Sequence, residues 1–229
     1  MKLAIERAQL FKALNHVQSV VERRNTIPIL SNVRLDGRDG RLELTATDMD
    51  LEVIESVDAH VGADGNTTAS AHLAHDIVRK LPDGAEVALE TSDDGARLAL
   101  RCGRSRFALP CLPVDDFPVM TDADFDHEFA LPAEVVRRLI DRTRFAISTE
   151  ETRYYLNGIH LHARPEPEPA VLCAVATDGH RLARFETQLP DGAGAMPGVI
   201  VPRKAVLELR KLVEDVDGAV QVALGRTKI

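Results

Sequence analysis

Apolar residues recur at helical spacing in four stretches of the chain, and each set marks one side of a predicted helix. The sets are Leu10, Leu14, Val17 and Val21; Leu73, Ile77, Val78 and Leu81; Val135, Val136, Leu139 and Ile140; and Val206, Leu209, Leu212 and Val213. Between the helices, apolar and polar residues alternate over 41–45 and 97–101, which predicts half-buried antiparallel strands. The pattern predicts an α+β protein in which helices cover one face of antiparallel sheets.

The order of these elements occurs twice, and short segments of the two copies match in sequence. The strand that ends in Ala46-Thr47-Asp48 matches the strand that ends in Ala176-Thr177-Asp178 at an offset of 130 residues. Three further matches keep the same order, at offsets of 126, 131 and 135 residues: 30–35 with 156–161, 79–81 with 210–212, and 88–89 with 223–224. A period above about 100 residues is too long for a solenoid, so each copy is predicted to be a domain with its own core.

A stretch rich in aspartate separates the two copies between Pro113 and His127. It predicts a first domain over 1–119 and a second over 127–229. The first copy continues from Glu90 to about Pro118, whereas the second ends at Ile229, so the second domain is expected to be incomplete. The proline-rich run 164–169 falls where the first copy has only 37–40, and we expect it to be a longer hairpin loop.

Composition and charge exclude several classes of protein. The net charge of −8 argues against a protein that coats nucleic acid with its whole surface, although it allows a local basic face. Cys102, Cys111 and Cys173 have no paired spacing, so we expect buried thiols in a reducing compartment and neither disulfides nor a zinc site. No apolar run approaches the roughly 18 residues of a membrane span, which predicts a cytoplasmic protein without membrane association.

Basic residues lie on the polar faces of the predicted helices. They are Arg137, Arg138, Arg142 and Arg144 on the third helix, among which the one acidic residue is Asp141; Arg203, Lys204, Arg210 and Lys211 on the fourth; and Arg23-Arg24 and Arg79-Lys80 after the first two. Each group alone is typical of a solvated helix face. Their recurrence in both copies of an acidic chain favours loose contact with a phosphate backbone.

Six longer motifs carry a resemblance to a known family. They are Arg24–Leu30, Gly103–Phe107, Asp115–Pro118, Arg153–Gly158, Ala176–Ala183 and Val199–Lys204. In this order they resemble the bacterial sliding-clamp family, the beta subunits of DNA polymerase III. The resemblance covers essentially the whole chain. It implies a DNA-clamp fold of repeated domains, each with antiparallel sheets and two helices on one face, of which this chain holds the first and most of the second, with the third absent.

The resemblance implies a processivity factor that performs no bond chemistry and needs no cofactor. Two such chains of three domains close head to tail into a ring around duplex DNA, which is held without regard to its sequence. The predicted DNA-binding residues are Arg24, Arg137, Arg138, Tyr154, Tyr155, Arg203 and Lys204, in which arginine pairs with phosphate and tyrosine stacks on exposed bases. Two positions depart from the family: Glu150 adds a carboxylate beside Glu151, and His72 replaces an arginine.

The family also has an apolar pocket that takes short linear peptides. Positions that match the half of this pocket in the second domain are Leu156, Thr177, Gly179, His180, Arg181 and Leu182. Leucine side chains accept an apolar anchor, glycine allows a close backbone approach, and arginine and histidine donate to peptide oxygens. The implied partners are the DNA polymerase III alpha subunit, an ATP-dependent clamp loader, and other polymerases and repair proteins. On spacing alone, Asp178-Gly179 is simply a hairpin turn.

Two kinds of enzyme and one kind of binding protein are the alternatives to a sliding clamp. A hydrolase would combine Asp178 and His180 with Ser148 or Cys173, but the first copy has Asp48-Met49-Asp50-Leu51 at the matching place. A metal enzyme would use the pairs His160 and His162 or His72 and His75, and neither pair has a further ligand at a recognisable spacing. A protein-interaction scaffold without direct DNA binding stays open as an alternative.

Overall fold

Two units make up the chain in the computed structural model, Met1–Met120 and Thr121–Ile229. The structure describes residues 1–23, 25–120, 124–150, 152–164, 166, 168–225 and 228–229. Every strand pairing in it is antiparallel, and four α-helices accompany the strands in the described part of the chain. The predicted α+β class is confirmed.

The first unit contains two sheets and two helices. Its strands are β1 (Lys2–Glu6), β2 (Asn32–Arg38), β3 (Arg41–Thr47), β4 (Glu52–Asp58), β5 (His60–Ala63), β6 (Gly65–Ser70), β7 (Glu86–Thr91), β8 (Arg97–Cys102) and β9 (Ser105–Pro110). Its helices are α1 (Arg7–Val17) and α2 (Ala71–Arg79). The strand orders are β5-β1-β7-β8-β9 and β4-β3-β2-β6.

The second unit repeats this plan with fewer strands. Its elements are β10 (Phe125–Pro132), α3 (Ala133–Thr143), β11 (Gly158–Arg164), β12 (Val171–Thr177), β13 (Leu182–Gln188), β14 (Val199–Pro202), α4 (Arg203–Leu212) and β15 (Ala219–Gly225). The strand orders are β13-β12-β11-β14 and β10-β15. The first of these orders matches β4-β3-β2-β6 strand for strand, and β10-β15 matches β1-β7. Within the described residues, β5, β8 and β9 have no counterpart in this unit.

The helices of each unit lie on one face of its four-stranded sheet. In the first unit α1 contacts β3 and β4, and α2 contacts β2 and β6; in the second, α3 contacts β12 and β13, and α4 contacts β11 and β14. The core between them contains fully buried Leu14 and Leu44 in one unit and Ile140 and Leu172 in the other. This layer arrangement places the polar faces of all four helices away from their sheets.

One predicted helix face differs from the structure. In α2 the buried residues are Ala71, Ala74 and Val78, whereas Leu73 is exposed. The helix begins after Ser70, whose side chain accepts a hydrogen bond from the Leu73 amide at the first turn. Because Leu73 lies about 200° around the helix from Ala71, it points to solvent once Ala71 faces the sheet.

The alternating strands are confirmed, and they account for the cysteines. In β3 and β8 the inward residues Leu42, Leu44, Leu98 and Leu100 are buried. Cys102 and Cys173 are buried, Cys111 is half-buried, and all three thiols are free. Cys102 and Cys173 therefore pack as small buried side chains, as expected, whereas Cys111 is only partly buried because it follows the end of β9.

The two Ala-Thr-Asp segments form the same turn. Thr47 and Thr177 end β3 and β12, and their hydroxyl oxygens accept hydrogen bonds from the amides two residues on, at 3.0 and 3.1 Å. The carboxylates of Asp48 and Asp178 each accept hydrogen bonds from the amides two and three residues on, at 2.7 to 3.0 Å. Thus the sequence match marks a repeated backbone structure, because these side chains fix the chain reversal in both units.

This turn needs one residue with a left-handed backbone. In the second unit it is Gly179, with φ of 89°, whereas in the first it is Met49, with φ of 79°. A side chain in this region costs about 1–2 kcal/mol. The Met49 side chain is exposed and contributes little burial, so the strain in the first unit has no compensation from packing.

We expect Met49→Gly to raise the free energy of unfolding of the first unit by about 0.5–1 kcal/mol, because the relief of strain exceeds the entropic cost of glycine. Urea denaturation of the wild type and the variant measures this difference. Asp50→Gly is the matched control, since Asp50 lies in the same turn without a positive φ. The control should be destabilised, and an equal loss in Met49→Gly would contradict the prediction.

Candidate nucleic-acid and peptide interface

The N-terminal end of helix α4 carries two basic residues, although the helix dipole disfavours positive charge there. Arg203 and Lys204 form its first turn, which contains no acidic residue. A cation near a helix N-terminus costs about 0.3–1 kcal/mol because of the helix dipole. Arg203 is exposed and Lys204 is half-buried. The helix dipole therefore does not favour these two residues at this position.

The solvent face of α3 carries the predicted basic stripe. Arg138 is exposed, and its guanidinium carbon lies 5.6 Å from the centre of the Phe185 ring. Arg142 is also exposed and makes no ion pair within the described part of the chain. These two guanidinium groups are available to a ligand without breaking an ion pair.

Asp141 neutralises another part of the stripe. Its carboxylate lies 3.0 Å from Arg210 Nε on α4 and 3.3 Å from the Nε of Arg144, the residue that follows α3. Arg210 also pairs with Glu214. Burial alone would lower the pKa of Arg210, but the hydrogen bonds to Glu214 and Asp141 raise that pKa above its ordinary value. The stripe is therefore less basic than its sequence indicated.

Arg137 is not placed as a free DNA-binding side chain. Its Nη1 donates hydrogen bonds to the carbonyl oxygens of Val213 at 2.7 Å and Val216 at 2.8 Å, with a longer one to Glu214 at 3.4 Å. These carbonyls follow the end of α4, where helical partners run out. Arg7 has the same role in the first unit, where it donates to the carbonyl oxygens of the last two residues of α2, Val78 and Arg79. The arginine thus holds the two helices of the unit together.

His72 is likewise occupied inside its own unit. Its two ring nitrogens lie 2.9 Å from Gln18 Oε1 and 3.0 Å from the carbonyl oxygen of Val21. A histidine bound at both nitrogens joins α2 to the segment after α1 and has no ring nitrogen left for a phosphate. This geometry does not support a DNA-binding role for His72.

The two tyrosines of the Arg-Tyr-Tyr motif are open to solvent. They begin a short 3₁₀ helix, Tyr154–Leu156, and their side chains are 79% and 55% exposed. Their rings meet edge to face with centroids 5.6 Å apart. Large aromatic side chains so exposed are suited to stacking on unpaired bases. Arg24, which was predicted to act with them, lies outside the described residues.

Glu150 precedes this motif and is paired within it. Its carboxylate lies 3.1 Å from Arg153 Nε. The Glu150 carboxylate should therefore repel phosphate less strongly than an unpaired carboxylate would, because the guanidinium of Arg153 balances its charge. Glu151 lies outside the described residues.

The turn that carries the predicted peptide residues is rigidly held. Thr177 Oγ1 donates to the carbonyl oxygen of Arg181 at 2.7 Å, and Arg181 Nε donates to Asp178 Oδ2 at 2.8 Å. The hydrogen bond from the Arg181 side chain, followed by those from the His180 and Arg181 amides, holds the pKa of Asp178 well below its usual range. Leu182 at the start of β13 is 65% exposed, and Leu156 is half-buried.

A pocket of about 380 Å³ lies beside this turn. Its lining residues are Arg144, Phe145, Ile147, Ser148, Thr149, Glu150, Asp178, His180, Arg181 and Arg203. Arg203 and Glu150, assigned to DNA, thus meet His180 and Arg181, assigned to peptides, around one pocket. Leu156, Thr177, Gly179 and Leu182 are not in its lining. Phe145, which is 58% exposed, was not among the predicted residues, because it follows the end of α3 and belongs to no periodic pattern.

The candidate hydrolase residues Ser148, Asp178 and His180 line this same pocket, but within the described residues no hydrogen bond joins their side chains to one another. Asp178 is bonded to Arg181, and the Ser148 hydroxyl oxygen accepts from the Glu150 amide. The rings of His160 and His162 stack with centroids 4.6 Å apart, and the described residues contain no group of three or more side chains suited to a metal ion. Burial, followed by the charge of His160, lowers the pKa of His162. Within the described residues, no helix is long and apolar enough to cross a membrane.

Comparisons with known proteins cover both units. The models of the DNA polymerase III beta subunit match over residues 1–121 for the N-terminal domain and 130–229 for the central domain. The beta sliding clamp of Caulobacter vibrioides (strain NA1000 / CB15N) is 54% identical over 229 residues, which are 100% of this chain and 62% of that protein. The beta sliding clamp of Escherichia coli (strain K12) is 41% identical over 232 residues, and the match covers 100% of this chain and 61% of that protein.

Solved structures agree with the sequence relatives. A crystal structure of the C. crescentus beta sliding clamp matches with a TM-score of 0.95 and 55% identity, over 98% of this chain and 60% of that one. The sliding clamp of Bartonella birtlesii bound to griselimycin matches with a TM-score of 0.94 and 50% identity, again over 98% and 60%. The chain therefore spans about 60% of the length of the proteins that it matches.

Proposed function

Because this chain belongs to the DNA polymerase III beta subunit family, we propose that it forms part of a sliding clamp that encircles duplex DNA and tethers the replicative polymerase. The observation that carries this proposal is the cationic start of α4: Arg203 is exposed in a place where helix stability disfavours it. The chain then contributes the N-terminal and central domains, with predicted limits 1–119 and 127–229. Such a clamp is a non-catalytic accessory subunit and acts in the cytoplasm.

DNA contact would occur along the helical layers of the two units. In the second unit, Arg138 and Arg142 on α3 and Arg203 on α4 are exposed and have no ion pair with another described residue, and Tyr154 and Tyr155 are also exposed. Guanidinium groups that contact phosphate alone do not distinguish sequences, and a few weak contacts permit sliding. Closure of a homodimeric ring would then supply the retention that these contacts lack.

The pocket beside the 177–181 turn would receive short linear peptides. His180 and Arg181 supply donors for peptide oxygens, and Phe145 and Ile147 in the lining supply apolar contact, while exposed Leu182 lies next to the turn. The proposed ligands are the DNA polymerase III alpha subunit, an ATP-dependent clamp loader, and other polymerases and repair proteins. The alternative is a protein-interaction scaffold without direct DNA binding, which needs only this pocket.

A DNA-binding measurement separates the two functions. At low salt the chain should associate weakly with a fluorescent 20-bp duplex, and Arg203→Gln should reduce the affinity by about 3- to 10-fold and the log–log salt slope by about 1. Arg104→Gln is the control, since it removes the same charge from an exposed turn of the first unit. Equal effects of both variants, or no salt-sensitive association, would favour the scaffold.

The topological part of the proposal requires the full-length protein and its loader. After loading, we expect the protein to remain on nicked circular DNA through gel filtration in high salt and to leave the same DNA once it is linearised. Retention rests on ring closure in this proposal, so equal loss from both forms would rule out a sliding clamp.

A further inference from the structure

We propose that Asp141 limits the affinity of the helical layer for DNA by competing with phosphate for Arg144 and Arg210. The inference rests on the proposed DNA contact and adds a residue that neither the family match nor the predicted site includes. Asp141 lies on the solvent face of α3, where its acidic charge opposes the basic stripe. Its role would be to keep the phosphate contacts weak enough for movement along DNA.

The geometry of Asp141 joins both helices of the second unit. Its two carboxylate oxygens lie 3.1 and 3.0 Å from Arg210 Nε on α4, and 3.3 Å separates Oδ1 from the Nε of Arg144, directly after the end of α3. The side chains of Asp141 and Arg144 are 38% and 45% exposed, so a phosphate can approach both. One carboxylate therefore holds two guanidinium groups that phosphate would otherwise bind.

A phosphate can engage these arginines only by exchange. Carboxylate and phosphate oxygens both form charge-assisted hydrogen bonds with guanidinium groups, so the bond lost offsets much of the bond gained. Arg210 is held further by Glu214 and is only 19% exposed. Arg138 and Arg142 have no such competitor among the described residues, and they gain each phosphate contact outright.

The first test removes the charge of Asp141. Asp141→Asn should raise the affinity of the chain for a 20-bp duplex by about 3- to 10-fold and steepen the log–log salt slope by about 1–2, because one or two arginines become free. Glu134→Gln is the matched control: Glu134 lies seven residues earlier on α3, is exposed, and has no ion pair with a described residue. Glu134→Gln should change the affinity by less than about 2-fold. Asp141→Glu, which keeps the negative charge, should bind the duplex with the wild-type affinity.

The second test leaves Asp141 in place, so it holds even if Asp141→Asn is poorly folded. Arg142→Gln should weaken duplex binding more than Arg144→Gln does, because Arg142 is free and Arg144 is already neutralised. Where Asp141→Asn folds normally, a further comparison in that background should give equal losses for the two arginine variants. Equal losses in the wild-type background, or equal gains from Asp141→Asn and Glu134→Gln, would overturn the role of Asp141. If the wild type shows no salt-dependent binding, the proposed function itself fails, and this inference with it.

Discussion

Replacing Gly158 with alanine should lower the free energy of unfolding of the second unit by about 2–3 kcal/mol. Gly158 begins β11 beside β14, and an added Cβ would lie 2.3 Å from the carbonyl oxygen of Val201 and 2.8 Å from Ile200 Cγ2. Backbone cannot move aside as a flexible side chain can. Strand β14 would have to separate from β11, and the start of α4 would move with it, since the Arg203 amide donates to the carbonyl oxygen of Asn157.

Thermal unfolding monitored by circular dichroism measures this loss, which corresponds to a fall of about 10–20 °C in Tm for a unit of this size. Gly194→Ala is the control, because an added Cβ there meets no atom within 4 Å. A Gly158→Ala protein as stable as Gly194→Ala would show that the two strands are not packed as described.

Truncation of Arg137 should have a similar effect for a different reason. Arg137→Ala leaves three carbonyl oxygens after α4 without their charged donor, and hydrogen bonds to a charged group contribute about 1.5–3 kcal/mol. We expect a loss of about 2–3 kcal/mol in the free energy of unfolding, measured by urea denaturation. Arg137→Lys keeps the charge but cannot reach all three oxygens, so it should recover only part of the loss.

Arg142→Ala provides the comparison on the same helix. It is exposed and unpaired in the described structure, so its removal should change stability by no more than about 0.5 kcal/mol. If Arg137→Ala were equally mild and instead weakened duplex binding, Arg137 would be a DNA-binding residue, as the sequence predicted, and its bonds to α4 would be incidental.

Much of the fold was predictable because it is encoded within single elements. Helical spacing located all four helices, and alternation identified β3 and β8. The exposed position of Leu73 was not predictable, since the residue at which a helix begins decides which side faces the sheet. The start of β10 at Phe125, ahead of the predicted limit at 127, depends on pairing with Gly225, far along the chain.

The residues of the candidate interface were predictable only where the local sequence pattern indicates that a side chain is exposed to solvent. Tyr154 and Arg203 are exposed, as residues that contact a ligand must be. The roles of Arg137 and Asp141 depend on partners 76 and 69 residues away, and no periodicity reports such contacts. A basic stripe read from sequence therefore gives the number of charges on a face but not how many of them are already paired.

The repeated turn bears on how the two units diverged. The hydrogen bonds that form it come from Thr47-Asp48 in one unit and Thr177-Asp178 in the other, while the residues that follow differ completely, 49–51 against 179–181. After a gene duplication, mutations at the outward positions would have left the chain reversal intact. One copy could thus acquire histidine and arginine at its turn, and be selected for a new ligand, without first evolving a new loop.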